Sequence, residues 1–174
     1  MQKSVLVGAI VALFATAALA QGASKPTDPQ IAHIAYTAGE IDIAAAKQAL
    51  AKSKNKEVIA FAQLMVRDHT AVNKQAVALV TKLHVTPVAN PTSAALEQAA
   101  AKTRAELASL SGAAFDKAYV ANEVAYHQTV NGALVDTLIP DAQNAELKSL
   151  LETGLKLLPA HEQHAEMLNK ELGA

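Results

Sequence analysis

Three stretches of the chain carry apolar residues at alternating steps of four and three, and each stretch holds a histidine on that same stripe. This spacing marks the face of an α-helix that packs against other helices. An imidazole on such a face needs a hydrogen-bond partner or a metal ion, because a buried polar group without one costs roughly 1 to 3 kcal/mol. The three stripes are Val58, Ala62, Met65, His69, Val72, Ala76, Leu79 and Leu83; Val120, Val124, His127, Asn131, Leu134 and Leu138; and Leu147, Leu151, Gly154, Leu158, His161, Ala165, Leu168 and Leu172.

The composition favours an all-α protein. Alanine accounts for 39 of the 174 residues, and no run of alternating Val, Ile and Thr indicates a sheet. The chain has no cysteine, which excludes disulfides, thiolate catalysis and cysteine metal sites. The formal net charge is −1, which gives no basic footprint for nucleic acid.

The first twenty residues have the pattern of a secretory signal peptide. Lys3 is followed by an apolar stretch too short to span a bilayer, and the small residues 18–20 suit a cleavage site before Gln21. We therefore expect a signal peptide over residues 1–20, a polar leader over 21–27 and a single domain over 28–174. This organisation predicts that the protein is exported to the periplasm, and an association with the outer membrane stays open. We expect no membrane-spanning segment after cleavage of the signal peptide.

The apolar pattern predicts four long helices in two antiparallel hairpins, with a short helix in the connection between the hairpins. A connection of about 27 residues can run the length of a bundle, so the crossover topology of ferritin-like folds and a plain up-down bundle both remain open. The predicted helices run from N-cap Asp28 to about Ala51, from about Lys56 to Leu83, from Ser93 to Ser109, from Gly112 to Ile139, and from Ala142 to Leu172.

Residues equally far from the turn of an antiparallel hairpin face each other, which places Glu40 opposite His69 and Glu123 opposite His161. These side chains can form one cluster with the other central histidines. Imidazoles and carboxylates without thiolates suit a transition metal such as zinc, copper or iron. The Glu-x-x-His motif of di-iron bundles is absent from the sequence, which disfavours a di-iron oxidase. The candidate metal ligands are Glu40, His69, Glu123, His127, His161 and His164.

The same histidines have a plainer interpretation as core residues that donate to carboxylates or carbonyls. The alternative function is then a structural or envelope-stress protein whose buried histidines serve packing or respond to acid. An enzyme ranks third: Tyr119 and Tyr126 suit redox partners, but no nucleophile motif or phosphate loop occurs. The residues suggest a metal ion as a partner, whereas a protein partner and the oligomeric state stay open.

The motifs taken together resemble a bacterial family of unknown function, DUF4142. Its members are often labelled predicted outer-membrane proteins. The similarity extends from about Asp28 to Leu172. It implies a ferritin-like fold and an envelope location more than an activity, whereas the residues themselves favour a soluble periplasmic protein. The resemblance rests on Glu40, the run Phe61 to His69, the run Leu110 to Tyr119, His127 and the run Leu158 to His161. The individual positions that match the family pattern are Glu40, Asp68, His69, Phe115, Asp116, Tyr119, His127 and His161.

Overall fold

The computed structural model describes residues 25–173, which are helical over most of their length and contain no strand. The all-α prediction is therefore confirmed for this part of the chain. The predicted signal peptide and most of the polar leader lie outside the described residues. None of the helices within 25–173 combines the length and the apolar character that crossing a membrane requires. The helices are α1 (Asp28–Lys52), α2 (Lys56–Lys82), α3 (Pro91–Ala108), α4 (Gly112–Ala133) and α5 (Ala145–Glu171).

Asparagine side chains cap three of the helices. Asn55, Asn90 and Asn144 each accept hydrogen bonds from two backbone N–H groups of the turn that follows. A cap of this kind stabilises a helix by about 1 kcal/mol. Because of these caps, α3 begins at Pro91 and α5 at Ala145, and the starts predicted from the sequence are wrong by two or three residues.

The start of α1 also differs from the prediction. Thr27, and not Asp28, is the N-cap residue, and its backbone N–H donates to Oε1 of Gln30 at 2.9 Å. The carboxylate of Asp28 instead accepts the backbone N–H groups of Gln143 and Asn144, both at 2.8 Å. Asp28 therefore ties the beginning of α1 to the turn before α5.

Helix α4 does not continue as a regular α-helix to Ile139. Its α-helical part ends at Ala133, and the chain passes through a π-helical turn (Leu134–Leu138) and one more helical turn (Ile139–Asp141). A π-turn carries one extra residue and is frequent near functional sites. Nothing in the apolar spacing indicates it.

Side-chain contacts show that α1 and α2 are antiparallel, and that α4 and α5 are antiparallel. In each hairpin, residues with higher numbers on the first helix contact residues with lower numbers on the second helix. Both predicted hairpins are present. The contacts are Glu40 with Asn73 and Asp42 with His69 in the first hairpin, and Gln128 with Glu166 and Asn131 with Glu162 in the second.

Helix α3 carries the chain back along α1, and the two helices run in the same direction. Asn90 before α3 donates to the carbonyl of Gln30 near the start of α1, and Lys52 at the end of α1 donates to the carbonyl of Ala108 at the end of α3. As a result α4 starts at the end of the molecule where α2 starts, and α2 and α4 are parallel. The connection between the hairpins is a crossover, which the sequence left undecided.

The core consists of two apolar clusters separated by a polar layer. One cluster contains residues 45–49 of α1, 58–65 of α2, 115–120 of α4 and 165–168 of α5. The other contains residues 31–34 of α1, 134–138 after α4, and 147–158 of α5. Between them, the buried residues of the four long helices are mainly charged or polar, and this is the level of the candidate site. The polar layer consists of Asp42, His69, Glu123, His127 and His161.

Candidate metal centre

Three imidazole rings from three helices meet in the polar layer. His69 of α2, His127 of α4 and His161 of α5 have ring centroids 5.4 to 5.7 Å apart. Their exposed fractions are 7%, 1% and 2%. One nitrogen of each ring lies within 4.8 Å of those of the other two. The predicted convergence of the three histidines is therefore confirmed.

Two of the rings are oriented by a hydrogen bond from one of their nitrogens. Nδ1 of His127 lies 3.0 Å from the carbonyl oxygen of Glu123, and Nε2 of His161 lies 3.0 Å from Oδ2 of Asp68. A neutral imidazole that donates from one nitrogen has a lone pair on the other. Within residues 25–173, Nε2 of His127, Nδ1 of His161 and Nε2 of His69 are buried without a hydrogen-bond partner. Metal-binding histidines are typically held in this way.

Helix α1 supplies a carboxylate beside these nitrogens. Oδ2 of Asp42 lies 3.5 Å from Nε2 of His69 and 3.5 Å from Nε2 of His127, and Asp42 is 1% exposed. Ligand atoms about 2.1 Å from a tetrahedral ion lie roughly 3.4 Å from one another. In the described part of the chain neither carboxylate oxygen of Asp42 has a hydrogen-bond donor. Both the 3.5 Å spacing and the missing donors suit an Asp42 carboxylate that binds the same ion as His69 and His127.

A second buried carboxyl group lies next to Asp42. Glu123 is 1% exposed and forms, with Asp42 and His127, another group whose potential ligand atoms lie within 4.8 Å of one another. Burial, together with the charge of Asp42, raises the pKa of Glu123 well above its usual range. Burial also raises the pKa of Asp42 to about 6, although His127 opposes the shift. Two carboxyl groups this close retain a proton when no cation is near, and that proton can supply the donor that their oxygens lack.

The histidines are neutral at pH 7, which is the form that binds metal. Burial lowers the pKa of His69 to about 4, although the charge of Asp68 opposes the shift. Burial likewise lowers the pKa of His127, against the charge of Asp42, and the pKa of His161, against its hydrogen bond with Asp68. No proton therefore has to leave these rings before an ion binds at neutral pH.

Asp68 stays charged at the edge of the polar layer. Its own burial favours the neutral acid, but hydrogen bonds from Arg67 and His161 together keep its pKa below the ordinary value. Nε of Arg67 lies 2.7 Å from Oδ1 of Asp68, so the two oxygens of this carboxylate serve two different donors. A charged Asp68 makes the His161 ring a stronger electron-pair donor.

Glu40, predicted as a ligand, lies outside this cluster. It is exposed, and Oε1 accepts a hydrogen bond from Nδ2 of Asn73 at 2.8 Å. Two positions along a helix correspond to a rotation of about 200°, so Asp42 faces the core where Glu40 faces solvent. The pairing across the first turn is displaced accordingly, and His69 is opposite Asp42.

The structure places two other predicted ligands differently from the expected pairs. Glu123 lies beside Asp42 and His127, and not opposite His161. His164 is half-buried, and its ring is edge-on to Phe61 with the centroids 5.1 Å apart. His164 belongs to neither potential metal group in the described residues. Of the six predicted residues, the polar layer contains four: His69, Glu123, His127 and His161.

Asp42 is the carboxylate of the polar layer that the sequence analysis missed. It stands eleven residues after Ile31 and three before Ala45, which is a position on the buried stripe of α1. The signal was weak, because alanines occur on several sides of α1 and do not mark one face. An acidic residue between Ile41 and Ile43 was the available clue.

The comparisons with known proteins identify the family. The family described as a domain of unknown function (DUF4142) matches residues 13–168. No curated protein and no solved structure matches the chain. The matched range contains the whole polar layer, from Asp42 to His161. The chain therefore belongs to the DUF4142 family.

Proposed function

We propose that this protein binds one divalent transition-metal ion inside a ferritin-like four-helix bundle, in order to store, buffer or sense that ion. The ligands are His69, His127 and His161, with Asp42 as the carboxylate. The observation that carries the proposal is the convergence of three buried imidazole rings, each of which has one nitrogen without a hydrogen-bond partner in residues 25–173. Leaving such atoms unpaired is costly, and a bound cation removes that cost.

The topology supports the ferritin-like assignment. Ferritin-like bundles consist of two antiparallel hairpins joined by a long crossover, and their metal sites lie among facing helices in the bundle core. Here α3 supplies the crossover, α2 and α4 are parallel, and the polar layer lies between two apolar clusters.

The ligand set restricts the identity of the ion. Three neutral imidazoles and a carboxylate suit zinc, copper or iron better than calcium or magnesium, which prefer oxygen ligands. Glu123, which shares a proton with Asp42, balances the added charge when the ion binds. With no Glu-x-x-His motif in the chain, we propose a site for one ion and not a di-iron centre.

We also propose that the protein works in the periplasm, with association to the outer membrane as a further possibility. Lys3, the apolar stretch after it and the small residues 18–20 support export, and so does the envelope label of the family that the sequence resembles.

Thermal unfolding of the chain from Gln21 onward, purified without a metal-binding tag, tests the proposal. Zinc, cobalt, copper and ferrous iron are each added to metal-free protein. An ion present at about 100 times its Kd stabilises the folded state by about 2.7 kcal/mol and raises the Tm. We expect at least one ion to raise the Tm of the wild type, and no ion to raise that of His127→Ala.

The matched control is His84→Asn, which also removes one imidazole. His84 is exposed at the end of α2 and has a φ of 54°, a conformation that asparagine tolerates well. This variant should respond to metal as the wild type does. If no ion raises the Tm of the wild type, or if His127→Ala responds equally, the proposed site is wrong.

The alternative function is a structural one, in which the polar layer fixes the register of the helices. Two hydrogen bonds favour it, because they already satisfy part of the layer: His127 with the carbonyl of Glu123, and His161 with Asp68. Beside the layer, Tyr126 Oη donates to the carbonyl of Ala38 at 2.9 Å and ties α4 to α1. A structural layer predicts that metal ions and chelators leave the Tm unchanged.

A further inference from the structure

The polar layer is surrounded by four gaps between neighbouring helices, and near its level a side-chain hydrogen bond crosses each gap. Along the bundle, the layer lies between two apolar clusters, where a hydrated ion finds no polar contact. The four gaps are therefore the short routes from solvent to the layer. The bonds that cross them join Asn73 to Glu40 (α1 and α2), Tyr126 to the carbonyl of Ala38 (α1 and α4), Asn131 to Glu162 (α4 and α5) and His161 to Asp68 (α2 and α5).

The gap between α2 and α5 differs from the other three. Of the four bonds, only the one between His161 and Asp68 ends on a proposed metal ligand. The side chain of Asp68 is 14% exposed, whereas that of His161 is 3% exposed. Asp68 is therefore a carboxylate that reaches solvent on one side and contacts a ligand ring on the other.

The two oxygens of Asp68 have separate partners. Oδ2 lies 3.0 Å from Nε2 of His161, and Oδ1 lies 2.7 Å from Nε of Arg67. The side chain of Arg67 is 71% exposed, and an ion pair in water contributes little to hold such a side chain in place. An arriving cation can therefore replace Arg67 at Oδ1 while Oδ2 still accepts the bond from His161.

The position of the His161 ring depends on Asp68. Nδ1 of His161 has no hydrogen-bond partner among residues 25–173, so the bond to Asp68 is what holds this ring. His127 differs, because its Nδ1 bonds to the carbonyl of Glu123 on its own helix, inside the layer. When the bond to Asp68 opens, the His161 ring is free to turn aside.

We propose that a metal ion enters and leaves the polar layer between α2 and α5, with Asp68 as its first ligand. The ion displaces Arg67 from Oδ1, the His161 ring turns aside, and the ring returns behind the ion as its bond to Asp68 forms again. A negative charge at the mouth of a site raises the rate at which cations arrive. This inference rests on the proposed function, because it concerns the ion that the three histidines bind.

Stopped-flow mixing of the metal-free chain from Gln21 onward with cobalt(II) tests the route. The visible absorption of cobalt reports its coordination, and mixing the loaded protein with a strong chelator gives the rate of release. Zinc, followed with a coloured indicator, repeats the measurement. We expect Asp68→Asn to slow uptake on the order of tenfold. This substitution removes the charge but keeps an oxygen for the bond from His161, so a merely orienting role for Asp68 predicts an unchanged rate of uptake.

The matched control is Glu162→Gln, which removes one negative charge at the gap between α4 and α5. Glu162 is half-buried, and its Oε2 bonds to Asn131 and not to a proposed ligand. Since salt screens charges that lie away from the point of entry, the uptake rate of Glu162→Gln should stay within about twofold of that of the wild type.

Arg67→Gln provides an independent test, because it removes the group that competes for Oδ1 and leaves Asp68 in place. Uptake and release should both become faster by the same factor, on the order of threefold, so that the affinity stays constant. The matched control is Lys74→Gln, since Lys74 is also an exposed cation and lies two turns further along α2. Both rates of Lys74→Gln should equal those of the wild type. If Asp68→Asn loses its helical circular dichroism, Arg67→Gln decides the question.

Three results would overturn the route: wild-type uptake in a folded Asp68→Asn, equal slowing in Glu162→Gln, or unchanged rates in Arg67→Gln. Any of them in a protein that still binds the ion at equilibrium would leave the proposed function intact. A wild type that binds none of zinc, cobalt, copper and ferrous iron would refute the proposed function and the route with it.

Discussion

Nε2 of His161 on α5 lies 3.0 Å from Oδ2 of Asp68 on α2, so one hydrogen bond joins the two hairpins and turns Nδ1 of His161 into the free nitrogen of that ring. Because such outer contacts hold a ligand ring in position, we expect Asp68→Ala to weaken zinc or cobalt binding by about 10- to 100-fold. Titration calorimetry on the chain from Gln21 onward measures this loss.

The control for Asp68→Ala is Arg67→Gln. Arg67 is exposed and bonds to the other oxygen of Asp68, at 2.7 Å, so its removal leaves the contact with His161 in place. The affinity of Arg67→Gln should stay close to that of the wild type. Equal affinities in Asp68→Ala and the wild type would show that the bond to His161 does not prepare the site.

Metal binding should release protons at mildly acidic pH. Burial raises the pKa of Asp42 to about 6 and that of Glu123 well above its usual range, so at pH 5.5 this carboxyl pair holds protons, whereas His69, with a pKa of about 4, is mostly neutral. A cation beside Asp42 favours the carboxylate and expels its proton. Calorimetric titrations in buffers of different ionisation enthalpy count the protons released.

The comparison variant for proton release is Asp42→Asn, which has no proton to lose at that position. At pH 5.5 we expect it to release fewer protons per bound ion than the wild type. The same proton count in both proteins would mean that Asp42 is not the group that the ion displaces from its proton.

Without metal, the stability of the protein depends on pH through buried groups that act in opposite directions, and His69 and Asp42 are one such pair. The pKa of His69 is lower in the folded state than its ordinary 6.5, so its contribution is present above pH 6.5 and is lost as the pH falls towards 4. The pKa of Asp42 is raised from 3.8 to about 6, so its contribution is present at low pH and is lost as the pH rises through 6. Each shift of about two units corresponds to something on the order of 3 kcal/mol.

These opposite signs give a specific expectation for Asp42→Asn in the absence of metal. Removing the carboxyl removes the contribution that opposes His69, and it also removes the charge that holds up the pKa of His127. The free energy of unfolding should therefore fall more steeply between pH 6.5 and 4 than in the wild type. Urea unfolding at several pH values measures both slopes, and a shallower slope in the variant would contradict the charge assignments.

The close approach of α1 and α2 at Gly39 makes a prediction about packing. An added Cβ would lie 2.8 Å from Cγ of Asn73, whose side chain also donates to Glu40. We expect Gly39→Ala to destabilise the protein by roughly 1 to 3 kcal/mol despite the better helix propensity of alanine. Thermal unfolding should show this loss of stability, and titration calorimetry should show an unchanged metal affinity.

The double variant Gly39→Ala, Asn73→Ala checks the cause of that loss. With the Asn73 side chain removed, the new methyl group has room, and the effect of Gly39→Ala should shrink or reverse in the Asn73→Ala background. Simple additivity of the two substitutions would show that the overlap with Asn73 is not responsible.

The helices could be predicted from the sequence because the spacing of the apolar residues, the positions of the prolines and the polar breaks all indicated the same helical segments. The starts of α3 and α5 could not, because Asn90 and Asn144 are ordinary polar residues until their side chains meet the free N–H groups of a helix. The crossover also needed the structure, since only the contacts of α3 with α1 show which way the connection runs.

The three central histidines could be identified because each interrupts an apolar stripe. The carboxylate that lies beside these histidines was harder to predict. Counting from the turn placed Glu40 opposite His69, and the packing of α1 instead brings in Asp42, two residues away and on the other side of the helix. Near a tight turn a shift of one residue in the pairing changes which side chain faces the core, and alanine-rich helices do not reveal that shift.

The central claim is that one ion binds to His69, His127 and His161 together. Its most direct test is elemental analysis of the chain from Gln21 onward, refolded with zinc or cobalt and then desalted. We predict about one ion per chain in the wild type and in His84→Asn, and essentially none when His69, His127 and His161 are all replaced by alanine in a variant that still shows helical circular dichroism. A wild type that retains no ion, or a folded triple variant that retains as much as the wild type, would contradict the claim.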